Sequence, residues 1–287
     1  MASFHFKPLG GDVGAEVFGI NLAESSASES STDISAALAR HGVLLFRDQT
    51  ITPDQHIAFS RHFGPLEEHV VSQFLLPGHP EILVISNVKE NGRHIGAYGG
   101  AKLFHSDMSY KEEPSLGSLF YCRECPPKGG ETEFVDMFAA YEALPDDRRR
   151  WLERQTAVHD YVYHYETYLT HRDPLTPEQK AKLVPAHHPA VITHPENGRR
   201  AIYLSEGLTS HFEGMDMEKS RLAIKEITDF ATQERFTYRH TWRPGDLVFW
   251  DNRSTMHRAL PFDHDKYRRV MHRTTIKGSA PFFADAR

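Results

Sequence analysis

Two hydrophobic rhythms run through the chain. Short apolar runs bounded by glycine, proline or polar clusters predict strands at 4–8, 13–20, 43–46, 82–86, 115–122 and 132–135. Three- and four-residue spacing predicts helices at 33–40, 137–143, 146–155 and 217–232, the last with Leu222, Ile224, Ile227 and Phe230 as its apolar stripe. Thr52-Pro53 reads as the cap and first-turn proline of a helix carrying Gln55, Ile57, Ala58, Phe59 and Phe63 and closed by Gly64. Asn197-Gly198 between the runs at 189–193 and 201–204 predicts a hairpin. The final third alternates strand and turn, with strands at 235–242, 247–250 and 269–276 and Pro244-Gly245 as a turn. The Ser-rich stretch 24–31 reads as a solvated connection, and the segment from Gly92 to Gly100 as a lid or a plain connector. The sum is an α+β chain dominated by antiparallel strands, with one helical insertion after Thr132 and a single domain over 1–287.

Composition narrows the class of partner. A core is well supplied by 39% hydrophobic residues, and the formal charge of -6 is spread over interspersed acids and bases rather than gathered into a basic stripe. No nucleic-acid partner is expected on that ground. No apolar run approaches the ~20 residues that span a bilayer, and the first residues lack the apolar core of a secretion signal, so no membrane partner and a cytoplasmic protein are expected. Cys122 and Cys125 lack the second pair a structural zinc needs and read as two reduced thiols at a strand end.

Candidate chemistry begins at His105-Ser106-Asp107. On a strand, residues two apart point the same way, which brings an imidazole and a carboxylate to one point suited to a divalent metal. The pattern is weak alone, because the chain has 19 histidines and repeats His-x-Asp at His171 and His-x-Glu at His79, His164, His194 and His211. Context separates them: apolar residues precede His105, whereas His171 sits in a polar, proline-containing loop. A second imidazole, His257, follows the hydrophobic run ending at Asp251. His105, Asp107 and His257 together make two histidines and one carboxylate, the ligand set of non-haem Fe(II) oxygenases that leaves further positions open. The competing zinc hydrolase lacks its His-Glu-x-x-His. Twelve residues after His257, alternation places Arg269, Met271 and Arg273 on one strand face. The two guanidinium stems start ~13 Å apart, enough to hold two different anions.

The chain resembles the taurine dioxygenase and dichlorophenoxyacetate dioxygenase family of Fe(II)- and 2-oxoglutarate-dependent enzymes nearly end to end. The matching blocks are Phe59-Ser60-Arg61-His62-Phe63-Gly64-Pro65-Leu66, His105-Ser106-Asp107, Gly129-Gly130-Glu131-Thr132, Ala140-Tyr141-Glu142-Ala143-Leu144, Thr193-His194-Pro195, Trp250-Asp251-Asn252-Arg253 with His257, and Arg269-Val270-Met271-His272-Arg273. The resemblance implies a double-stranded β-helix (jelly-roll) core, iron on His105, Asp107 and His257, and the far carboxylate of 2-oxoglutarate on Arg269 and Thr132. It also implies O2 as co-reactant and a homodimer or homotetramer.

For the substrate, the resemblance implies that Arg273 binds an anionic head with His69 nearby, and that Met108, Tyr110, Tyr165 and Leu208 line the pocket. Ala101 and Ser72 stand where taurine dioxygenase has an Asn and a Tyr, which disfavours taurine itself. The expected reaction is hydroxylation of a small organic anion (aryloxyalkanoate, alkyl sulfonate or alkyl sulfate) next to a heteroatom, followed by cleavage. A taurine-type sulfonate dioxygenase and an amino-acid or natural-product hydroxylase are the alternatives. A metal-binding β-barrel without turnover is the remote one.

Overall fold

The computed structural model describes residues 4–10, 13–24, 30–68, 72–99, 102–170 and 173–284. His69, Gly100, Ala101, His171 and residues 25–29 of the Ser-rich connection lie outside them. The first elements are β1 (His5–Pro8), β2 (Ala15–Phe18), α1 (Ser31–His41), β3 (Val43–Phe46), α2 (Pro53–Arg61), β4 (Leu75–Leu76), β5 (His79–Ser86), β6 (Lys89–Glu90), β7 (Arg93–His94) and β8 (Ser115–Glu124). The middle holds β9 (Thr132–Asp136), α3 (Met137–Glu142), α4 (Asp146–Leu152), β10 (Thr156–His159), α5 (Tyr161–Tyr168), α6 (Pro177–Ala181), β11 (Ala186–Pro189), β12 (Val191–Thr193), β13 (Arg200–Ile202) and β14 (Thr209–Phe212). The last are α7 (Met217–Ala231), β15 (Thr237–His240), β16 (Leu247–Asp251), β17 (Thr255–Ala259) and β18 (Val270–Lys277).

Eight strands form one sheet in the order β1-β2-β3-β16-β8-β18-β5-β4, and only the β2–β3 pair in it is parallel. A second sheet, β15-β9-β17, has three strands. The two share one buried cluster in which Phe120, Cys122, Val248, Trp250 and Met271 of the large sheet meet Phe134 of β9. On the other face of the large sheet Leu44, Phe46, Leu119, Tyr121, Leu247 and Phe249 pack with Ile34 and Leu38 of α1 and Phe59 of α2. Successive strand residues point to opposite faces, so a strand covered on both sides must be apolar at every position. That is why Leu247-Val248-Phe249-Trp250 is an unbroken hydrophobic run.

Local signals place the helices. Thr52 Oγ1 accepts the Gln55 N–H at 3.2 Å while Gln55 Oε1 accepts the Thr52 N–H at 2.8 Å, closing a capping box at the start of α2. The hairpin expected around Asn197-Gly198 forms, with Val191 opposite Ile202.

Two expectations are corrected. The insertion after Thr132 is mixed rather than helical, because Thr156–His159 pairs with β11 and β14 on its two edges and so finds partners for its backbone as a strand. The strand expected at 235–242 is shortened by a 3-10 turn at Glu234–Phe236. The segment running to Gly100 is docked on β5 in its described part: Ala97 O accepts from Ser86 N–H at 3.0 Å and Ala97 N–H donates to Val84 O at 2.9 Å. Gly96 approaches so closely that a Cβ there would lie 2.7 Å from the Val84 carbonyl oxygen. Cys122 and Cys125 are both free thiols. Among the described residues no helix is long and apolar enough to cross a membrane.

A buried ionic network anchors the end of β16. Asp251 Oδ2 accepts from Arg253 Nη2 at 2.7 Å and lies 3.0 Å from His194 Nε2, while its Oδ1 accepts the Arg253 N–H and Nε–H, each at 2.9 Å. Burial opposes the charge on Asp251, but Arg253 and His194 outweigh it and hold the carboxyl well below the usual carboxylate range. A depressed folded pKa stabilises the folded state at pH above the ordinary carboxylate value, and that contribution is lost as pH falls below it toward the folded value. Asp251→Asn should therefore cost about 3 kcal/mol at pH 7, with a shallower loss of stability on acidification than in the parent, measured by urea denaturation from pH 7 to pH 3. Equal stability of the two proteins at pH 7 would show that the network contributes nothing.

Candidate metal and cosubstrate site

Two loops converge where β17 passes the segment before β8. His105 N–H donates to His257 O at 3.0 Å and His257 N–H donates to His105 O at 2.9 Å, a one-pair antiparallel bridge. Here the geometry departs from the sequence expectation, because Asp107 is not on a strand with His105. The chain turns immediately after the bridge, with Met108 at φ 58°. The turn is imposed by side chains distant in sequence: Ser106 Oγ donates to Asn252 O at 2.5 Å, the Asp107 N–H donates to Asn252 Oδ1 at 3.2 Å, and Ser115 Oγ donates to Asp107 O at 3.0 Å. The convergence inferred from strand alternation is achieved by a turn instead.

The three side chains meet. His105 Nε2 lies 3.8 Å from Asp107 Oδ1 and His257 Nε2 lies 3.9 Å from Asp107 Oδ2. Their candidate ligand atoms all fall within 4.8 Å of one another, a spacing one ion can bridge. Their chemistry fits an intermediate divalent metal. His105 Nδ1 sits 2.9 Å from Leu103 O, and a carbonyl only accepts, so Nδ1 carries the proton and Nε2 presents its lone pair to the cluster. Burial pushes the His257 imidazole down to about 3, helped by His105, so it is neutral at physiological pH. Burial disfavours the Asp107 charge, yet the Arg273 guanidinium and the two imidazoles outweigh it, and the Ser118 hydroxyl adds to them, holding the carboxyl well below its usual range. Ser118 Oγ donates to Asp107 Oδ2 and Arg273 Nη1 to Oδ1, both at 3.0 Å. The ion pair of Arg273 with Asp107 puts the arginine beside the cluster, a contact that strand alternation did not foresee.

Arg269 differs from its neighbours. It is buried at 7% exposure, whereas Arg268 forms an exposed pair with Glu124 at 3.0 Å. The Arg269 N–H donates to Asn87 Oδ1 at 2.8 Å, and its guanidinium lies over the Phe120 ring at 5.5 Å. Its Nε has no hydrogen-bond partner, and among the described residues no carboxylate is paired with it. Burial lowers its pKa to about 10, which still leaves it charged. A buried cation without an anion is costly, so the site fits an anionic ligand. Gly130, at φ 73°, lets the preceding loop pack on it: a Cβ there would lie 3.3 Å from Phe262 and 3.6 Å from the Arg269 side chain. Thr132 is buried on β9 between His240 and Ala259, and its Oγ1 accepts the Trp242 Nε1–H at 3.0 Å.

The pocket residues expected from the sequence are distributed unevenly. Tyr110 packs its ring 4.7 Å from Tyr161, and burial, Tyr161 and Asp107 all raise its phenol. Tyr161 in turn lies 6.3 Å from Tyr165, whose hydroxyl donates to Asp173 O at 2.8 Å. Met108 is buried in the turn after Asp107, and Leu208 is buried with its carbonyl accepting the Asp160 N–H at 2.8 Å. His69 lies outside the described residues. Reasoning from sequence missed Ser118, Asn252, Trp242 and Asn87. Only Asn252 carried a signal, as part of the Trp250-Asp251-Asn252-Arg253 block.

The chain as a whole matches known proteins. Residues 5–275 match the model of the family described as taurine catabolism dioxygenase TauD, TfdA family. The alpha-ketoglutarate-dependent 2,4-dichlorophenoxyacetate dioxygenase of Cupriavidus pinatubonensis is 35% identical over 94% of this chain and 96% of that protein. The (S)-phenoxypropionate/alpha-ketoglutarate-dioxygenase of Sphingobium herbicidovorans is 32% identical over 96% of each. The alpha-ketoglutarate-dependent sulfate ester dioxygenase of Pseudomonas putida is 30% identical over 97% of this chain and 91% of that protein. Among solved structures, AAD-2 in complex with Mn(II) and N-oxalylglycine superposes with a TM-score of 0.81 at 32% identity, covering 97% of this chain and 99% of that one. The chain therefore belongs to the TauD, TfdA family. It is an oxidoreductase of the 2-oxoglutarate-dependent dioxygenase class, with Fe(II), 2-oxoglutarate and O2 as the cofactor set that this family implies.

If the cluster is the metal site, Co(II) titrated into the metal-free protein should saturate at one ion per chain. His105→Ala, Asp107→Ala and His257→Ala should each lose stoichiometric binding while keeping the parent circular dichroism spectrum. Undiminished Co(II) binding in any of them would exclude that residue as a ligand.

Proposed function

We propose that this dioxygenase hydroxylates a small organic anion with an aryl or alkyl body, at a carbon next to a heteroatom, and that the product then cleaves. In this reading His105, Asp107 and His257 hold Fe(II), Arg269 and Thr132 hold the far carboxylate of 2-oxoglutarate, and Arg273 binds the anionic head of the substrate. When bound, iron and 2-oxoglutarate supply the oxidising power: the cosubstrate is decarboxylated to succinate, and one atom of O2 enters the substrate C–H bond as a hydroxyl.

The chain's own residues place and protect. The Leu103 carbonyl fixes the His105 tautomer, and Ser118 and Arg273 orient the two oxygens of Asp107. Trp250, with its ring 4.6 Å from that of His257, and Phe134, at 6.1 Å, give His257 an apolar backing that excludes water. Hydroxylation beside an ether or ester oxygen yields a hemiacetal-type carbon that collapses without further help from the protein.

The observation that carries the substrate reading is Arg273, a permanent cation 3.0 Å from Asp107 and next to the aromatic layer of Tyr110 and Tyr161. A guanidinium suits a carboxylate, sulfonate or sulfate, and the tyrosine faces suit an aryl or alkyl body. Met108, Tyr165, Leu208 and His69 complete the proposed wall. The relatives that act on 2,4-dichlorophenoxyacetate, phenoxypropionate and sulfate esters support the same class. The large sheet packed across Phe120, Phe134 and Trp250 supports a double-stranded β-helix core, carried by one domain over 1–287.

Succinate formation assayed with aryloxyalkanoates, alkyl sulfonates, alkyl sulfates and amino acids should be fastest with one of the first three classes. Clear preference for an amino acid would overturn the proposal. Arg273→Ala should raise the KM of the anionic substrate strongly while uncoupled decarboxylation of 2-oxoglutarate persists; parallel loss of both would move Arg273 into the cosubstrate site. Arg269→Ala should weaken 2-oxoglutarate by about 1.5 to 3 kcal/mol, read as its half-saturation concentration, and an unchanged value would remove Arg269 from the cosubstrate site.

A further inference from the structure

Trp242 follows β15 and is buried between two rings, edge-on to His240 at 4.4 Å and to Phe120 at 5.4 Å. Its Nε1–H donates to Thr132 Oγ1 at 3.0 Å. An indole nitrogen can only donate, so the direction of this hydrogen bond is not negotiable: the Thr132 oxygen is the acceptor. A threonine hydroxyl has one hydrogen, and among the described residues no protein acceptor receives it. That hydrogen is left for a ligand. The Phe120 ring that abuts Trp242 also lies under the buried Arg269 guanidinium. A hydroxyl that must donate, in the same cluster as an unpaired buried cation, favours a carboxylate; a hydroxyl free to turn its lone pairs inward would repel one.

We propose that Trp242 is a positioning residue for the cosubstrate: its indole N–H occupies the acceptor side of Thr132 and thereby aims the hydroxyl hydrogen at the far carboxylate of 2-oxoglutarate. This rests on the reading that Thr132 and Arg269 hold that carboxylate. The indole is braced from behind. His240 Nε2 lies 3.1 Å from Asp246 Oδ2, which also accepts from Arg47 Nη1 at 2.7 Å, so the ring packed on Trp242 is itself fixed. The donor is set before the ligand arrives, and binding need not order it.

The test is Trp242→Phe, which keeps an aromatic ring against Phe120 and His240 while removing the donor along with part of the indole's bulk. The KM for 2-oxoglutarate should rise about three- to tenfold, the range of one lost neutral hydrogen bond, with kcat and the KM of the anionic substrate within about twofold of the parent. N-oxalylglycine titrated calorimetrically into the Mn(II)-loaded protein should weaken by the same factor, with no turnover involved. In a Thr132→Val background Trp242→Phe should add nothing further, because its effect passes through the hydroxyl. Unchanged affinity in Trp242→Phe, or a full additional loss in the Thr132→Val background, overturns the proposal. If Thr132→Val and Arg269→Ala both leave N-oxalylglycine affinity unchanged, the cosubstrate reading falls and the proposal with it. Should Trp242→Phe not fold, β-(3-benzothienyl)alanine at position 242 keeps the indole shape without the N–H and must give the same weakening.

Discussion

The reciprocal backbone hydrogen bonds between His105 and His257 are the constraint on which the rest of the site depends. They join two stretches 152 residues apart in the chain, and they bring the two imidazoles to 4.3 Å between ring centres. One bridge pair is too small to hold itself. It survives because β17 is locked to β9 along five residue pairs, from Thr255 opposite Asp136 to Ala259 opposite Thr132, and because Asn252, just before β17, holds the turn after the bridge. The same strand that carries His257 lies beside the strand that carries Thr132. The proposed metal and cosubstrate positions thus both rest on one short β ladder.

Charge is arranged around that ladder by what is left unpaired. Asp251 and Asp246 are buried carboxylates whose arginine partners, Arg253 and Arg47, are present in the chain, so they serve the scaffold. Among the described residues Arg269 is a buried cation without such a partner, a cost that an anionic ligand would offset. Asp107 is in the reverse position. It keeps its negative charge because the Arg273 guanidinium and the Ser118 hydroxyl act against its burial, and it presents that charge to the point where the imidazole lone pairs meet. The division between structural and functional charges follows from partners rather than from residue type.

Much of this was legible in the sequence, for identifiable reasons. Strands covered on both faces leave unbroken apolar runs, and 43–46 and 247–250 are visible as such. Thr52-Pro53 and Asn197-Gly198 encode their caps and turns within a few residues. The ligand set His105, Asp107 and His257 could be proposed because two imidazoles and a carboxylate each adjoin apolar segments. What stayed hidden depends on side chains that meet only after folding. The turn at Met108 is made by Asn252, 145 residues from Asp107. The short strand Thr156–His159 needs β11 and β14 before it can pair at all, so its sequence alone did not stand out within a stretch that reads as helical. Trp242 is a plain core aromatic until its N–H is found on Thr132.

Where metal and cosubstrate sit relative to these residues decides the proposed function. The most direct measurement is a crystal structure of the protein with Mn(II) and N-oxalylglycine. The expected result is one metal ion bonded to His105 Nε2, an Asp107 carboxylate oxygen and His257 Nε2, with the far carboxylate of the inhibitor on the Arg269 guanidinium and the Thr132 hydroxyl, and Arg273 off that carboxylate. A metal bound away from this triad, or the inhibitor's far carboxylate on Arg273 with Arg269 unpaired, would contradict it.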